Sequence, residues 1–93
     1  MNILIKQILY HTHDKWNVPI KYREETLSFL QFALEYDETK TEFLLKDILR
    51  RINEAGLLIV KGLLLEFNKH MPLMFSNYII KNDTNKLIKY YKE

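Results

Sequence analysis

Apolar residues return every third or fourth position along most of this 93-residue chain, the spacing that lines one face of an α-helix. From about Asn2 to Trp16, the residues Ile5, Ile8, Leu9, Thr12 and Trp16 fall on one stripe. From about Pro19 to Tyr36, Leu27, Leu30 and Leu34 form a row that Phe29, Phe32, Ala33 and Tyr36 widen. Pro19 suits a first helical position, where its missing N–H costs nothing. The third segment is the most regular. Thr39-Lys40-Thr41-Glu42 reads as a capping box. Leu44, Leu45, Ile48, Leu49, Ile52 and Ala55 follow at helical spacing, and Asp47, Arg50, Arg51 and Glu54 hold the opposite face. Gly56 is the left-handed residue that commonly ends such a helix.

Leu57 to Met71 reads two ways. As a helix it turns Leu57, Val60, Leu64, Phe67 and Met71 inward and Lys61, Glu66 and Lys69 outward. As a hairpin it pairs 57–61 with 63–67 across Gly62. The leucine content favours the helix, although Gly62 costs about 1 kcal/mol in its interior. Pro72 opens a last segment, Leu73 to Tyr91, interrupted near Asn82–Asn85, where Asp83 or Thr84 caps the final turns. The pattern predicts an all-α fold, a small bundle of four to five short-looped helices that takes residues 1–93 as a single domain.

Composition narrows the function. A chain this short buries about 60–68% of its unfolded surface, which is enough for one core and leaves little room for a substrate cleft. It has no cysteine, so neither a disulfide framework nor thiolate chemistry is available. The net charge of +2 is mild but unevenly spread: residues 24–66 carry nine acids against five bases, while both ends are basic. Met1 to Tyr10 lacks a basic n-region and a small-residue cleavage site. The longest apolar run, Leu57 to Val60, is far short of a membrane span. A cytoplasmic setting is therefore expected. The abundance of Lys, Asn, Ile and Tyr suits an AT-rich genome such as that of a phage or plasmid.

The usual chemistry-bearing patterns are missing. In His11-Thr12-His13-Asp14 the two histidines point about 200° apart on a helix and cannot share an ion; His70 is a distant third. Glu24–Glu25 and Asp37–Glu38 are adjacent carboxylates near predicted helix starts, where acids are favoured in any case, rather than a pair set across a cleft. Ser28 and Ser76 lie in no nucleophile elbow, and no glycine loop cradles phosphate. The expectation is a protein that is not an enzyme and holds no metal or cofactor.

Asp47-Ile48-Leu49-Arg50-Arg51-Ile52-Asn53-Glu54-Ala55-Gly56-Leu57-Leu58 resembles the end of a recognition helix in winged-helix regulators, where a basic helix closes in an Ala-Gly-Leu turn. The resemblance implies a DNA-binding transcriptional regulator, with residues 57–67 as the wing. Against it, the base-reading positions would be the apolar Phe43 and Leu44, and the wing lacks a basic tip. The Lys-bearing end helices also suit a membrane surface, but a core helix shows the same pattern. Nucleic acid and membrane thus rank below another protein as partner. Phe43, with Arg50 and Arg51 on the polar face of the third helix, and Tyr90-Tyr91 near the C-terminus are the side chains expected to meet that partner. The implied role is a small regulator or inhibitor, of the antitoxin, immunity or phage-regulator kind, that acts by steric docking. The broad apolar faces of the second and fourth helices also suit a homodimer.

Overall fold

A computed structural model describes residues 2–11, 19–55, 62–82 and 87–88. The fold is all-α. In chain order the helices are α1 (Ile3–Leu9), α2 (Arg23–Tyr36), α3 (Glu38–Ala55), α4 (Leu63–His70) and α5 (Pro72–Lys81), with no strand among the described residues. No helix among these residues is long and apolar enough to cross a membrane.

Each helix start has a local cause. A helix leaves its first four N–H groups without partners. At α1 the Asn2 side-chain oxygen accepts from the Leu4 N–H at 2.8 Å and the Ile5 N–H at 3.3 Å. α1 continues into a π turn at Tyr10 and His11; Thr12 and Trp16, assigned to the same stripe, lie outside the described residues. α2 is led in by a 3-10 turn, Ile20–Tyr22, whose Tyr22 N–H donates to the Pro19 carbonyl at 2.9 Å. Glu24 and Glu25 occupy its first turn, where the helix dipole favours acids. Pro72 is the first residue of α5, as its fixed φ and missing N–H favour.

Two expectations are corrected. α3 begins two residues earlier than the capping box at Thr39 requires. Asp37 takes the cap: its Oδ1 accepts from the Lys40 N–H at 3.0 Å. Thr41 is buried instead, and its hydroxyl donates to the Ala33 carbonyl at 2.8 Å, while Glu42 accepts from the Asn2 side-chain amide at 3.2 Å. An aspartate at the end of α2 is as good a cap as threonine, and Thr41, inside the first turn, ties α2 to α3. The second correction concerns Gly62. It stands before α4 rather than inside a helix, and Leu63–Phe67 are helical, so the hairpin across Gly62 does not form. Gly56, the expected end of the third helix, lies outside the described residues.

The apolar stripes meet in one core. Ile5, Ile8 and Leu9 of α1, Phe29, Leu30 and Ala33 of α2, Leu44, Leu45, Ile48 and Ile52 of α3, Leu64 and Phe67 of α4, and Met74, Phe75 and Tyr78 of α5 are buried together. α1 packs on α2 and α3, and α2 also packs on α3 and α5. Phe29 is the hub: it meets Phe67, Phe75 and Tyr78 edge-to-face at centroid distances of 5.3, 5.9 and 5.1 Å, the geometry that aromatic quadrupoles favour. Buried apolar surface contributes roughly 25 cal/mol per Å², which lets a chain without disulfides hold this arrangement.

Candidate functional site

α3 buries Leu44, Leu45, Ile48 and Ile52 on its inner side, which turns positions 39, 40, 43, 46 and 50 to solvent. Phe43 stands in the middle of that crest with 76% of its surface exposed. Lys40 and Lys46, one turn before and after, are exposed beside it. Scattered apolar side chains on a surface are normal, but an exposed phenyl ring with a lysine one turn to either side on the longest described helix is a candidate interface anchor.

The two predicted arginines serve different purposes. Arg50 is 63% exposed and its guanidinium lies 2.7 Å from Asp47 Oδ1, so it borders the crest. Arg51 turns toward α4. Its Nη2 donates to Glu66 Oε1 at 2.9 Å, and its Nη1 lies 3.3 Å from Asp47 Oδ2. Glu66 also faces His70 Nε2 at 3.5 Å. The Arg51 bond holds the Glu66 carboxyl below its ordinary pKa against the opposing cost of burial, and the same bond raises Arg51. Asp47 is lowered by the Arg50 bond first and by Arg51 as well. This chain of ion pairs joins α3 to α4, so Arg51 belongs chiefly to the fold's own scaffold. Tyr90 and Tyr91 lie outside the described residues.

Next to the crest lies a feature that sequence reasoning missed. α2 passes to α3 through the single residue Asp37, which is extended at φ −155° and ψ 94°. α4 passes to α5 through the single residue Met71. The two corners abut, with the Thr41 hydroxyl 3.7 Å from the Met71 sulfur. One-residue links splay their helices, and a cavity of about 170 Å³ opens where the corners meet, lined by Tyr36, Asp37, Lys40, Met71, Pro72 and Leu73 among others. Its walls are mostly apolar side chains. Leu73, 72% exposed, stands at its edge. Lys40 belongs to both features, lining the cavity and preceding Phe43 by one turn, about 4.5 Å along the axis.

The positions that the winged-helix resemblance assigned to base edges separate: Phe43 is exposed, whereas Leu44 is 4% exposed and faces the core. Helix α4 occupies the place of the second wing strand. Of the histidines, His11 lies in the π turn after α1 and His70 ends α4 beside Glu66, while His13 lies outside the described residues. No group of three metal-ligating side chains occurs among the described residues. Compared with known proteins, the chain matches no family model, no curated protein and no solved structure.

Proposed function

We propose that this chain is a non-enzymatic protein-binding module, a small regulator or inhibitor that docks on a target protein through the crest of α3 and obstructs it sterically. The exposure of Phe43 on a helix whose other side is locked into the core is the observation that carries the reading. An anchor on a rigid rod loses little conformational freedom on binding, and that lowers the cost of association. Lys40 and Lys46, one turn to either side of the ring, and Arg50, two turns on, steer the encounter, while Arg51 supports the helix from behind through Glu66. Tyr90 and Tyr91, with their amphipathic rings, remain candidates for the edge of the same interface. A cytoplasmic setting and a phage or plasmid source accompany this reading and rest on composition: no cysteine, and abundant Lys, Asn, Ile and Tyr.

The test is a nuclease-treated pull-down from host lysate with the wild-type chain and with Phe43→Ala, read by mass spectrometry. A defined protein held by the wild type and lost with Phe43→Ala supports the reading. Retention of the same protein by both chains removes Phe43 as anchor, and capture that depends on nucleic acid replaces the reading with the DNA-binding one.

A further inference from the structure

Phe43 and the cavity beside Lys40 are a projecting ring and a mostly apolar recess of matching scale, set one turn apart on one face. A benzyl group occupies roughly 100 Å³, and close packing at an interface resembles that of an interior, so a recess of about 170 Å³ takes one ring with its neighbours. Phe43 is not among the residues that line its own chain's cavity; it projects to solvent from a helix whose inner row is held in the core. Two chains related by a two-fold axis solve the problem for both, since in such an interface each contact occurs twice.

The charges along α3 set the register. When two copies of α3 cross antiparallel so that Phe43 of one lies over Lys40 of the other, paired positions add to 83. The same register brings Lys46 opposite Asp37, the cap of α3. The first pair is a cation over a ring and the second joins opposite charges. Lys46 and Asp37 are both exposed, and neither has an ion-pair partner among the described residues. Centring the crossing on Phe43 itself would instead oppose Lys40 to Lys46.

We infer that a second copy of this chain occupies the α3 crest, with each Phe43 seated in the other copy's Asp37–Met71 cavity. The inference rests on the docking reading and adds a regulation to it: self-pairing covers the face that meets the target, so target and second copy compete for Phe43.

Sedimentation equilibrium of the whole chain, from about 1 µM to about 1 mM to span affinities of weak and moderate dimers, reads the inference directly. The expected result is a rise from the 11.3 kDa chain mass to twice that value. Phe43→Glu on α3 and Leu73→Glu on α5 should each raise the dimer Kd about tenfold or more. Lys46→Glu should also weaken pairing, and adding Asp37→Asn, which keeps a good cap, should restore part of the loss. Circular dichroism melts establish that each variant is folded. A monomer at every concentration overturns the inference, as does a dimer indifferent to Phe43→Glu and Leu73→Glu. A monomer that still captures a target through Phe43 overturns self-pairing alone, and a Phe43-dependent dimer whose target capture survives Phe43→Ala overturns the docking reading alone.

Discussion

The Thr41 hydroxyl donates to the Ala33 carbonyl at 2.8 Å, across the corner where α2 becomes α3. That carbonyl also accepts from the Asp37 N–H at 3.0 Å, so one acceptor ties the end of α2 to both the corner residue and the first turn of α3. Thr41 is fully buried. Thr41→Val keeps the shape and removes one bond without orphaning the carbonyl. We expect a loss of about 1 kcal/mol, seen in a thermal melt as a fall in Tm of about 4–8 °C for a domain of this size. An unchanged melt would mean that the hydroxyl contributes nothing to the corner.

Asp37 and Thr39 compete as the cap of α3, and the structure assigns the role to Asp37. Asp37→Ala should cost about 1 kcal/mol, Asp37→Asn much less, and Thr39→Ala under about 0.5 kcal/mol. Denaturant titration of dilute protein distinguishes them. The reverse ranking would return the cap to the threonine.

The Arg51–Glu66–Asp47 net gives stability a pH dependence of known sign. Both carboxyls are depressed in the folded chain. An acid depressed on folding adds stability above its unfolded pKa, and that stability is lost as pH falls through the folded value. The contribution is therefore present at neutral pH and disappears as pH falls through and below about 4, the ordinary carboxylate range. Glu66 is 17% exposed and Arg51 30%, so screening leaves the pair about 1 kcal/mol. Glu66→Gln should lower Tm at pH 7 and converge with the wild type near pH 3. Parallel curves would sink the assignment.

Phe29, at the centre of three edge-to-face contacts, and Phe43, on the crest, should respond in opposite ways. Phe29→Ala should cost about 3–5 kcal/mol and leave little folded protein. Phe43→Ala should stay within about 0.5 kcal/mol of the wild type. A comparison of their urea midpoints checks both, and a large loss at Phe43 would show that its ring supports the fold.

Helical period explains what was legible beforehand. The inner row of α3 and the exposure of Phe43 follow from the 100° step alone, and so does the buried stripe of α1; on α2 the buried row is Phe29, Leu30 and Ala33 rather than Leu27, Leu30 and Leu34, and Tyr36, placed on that face, is 48% exposed at the helix end. The cap was misplaced because Thr39 and Asp37 offer similar local chemistry, and the choice between them depends on where Thr41 packs. Glu66 was placed outward because spacing within α4 cannot show that Arg51, 15 residues earlier, lies across from it. The cavity between Asp37 and Met71 is invisible for the same reason: it belongs to neither corner alone, only to their meeting.

The docking account is tested most directly by a photo-crosslinker. With p-benzoylphenylalanine placed at position 43, and separately at position 20, whose native Ile20 is just as exposed, irradiation in the source cells should trap whatever covers each site. The account predicts discrete adducts from position 43, one of them with twice the chain mass, and none from position 20. Equal adduct patterns from both positions, or none from position 43, would contradict it.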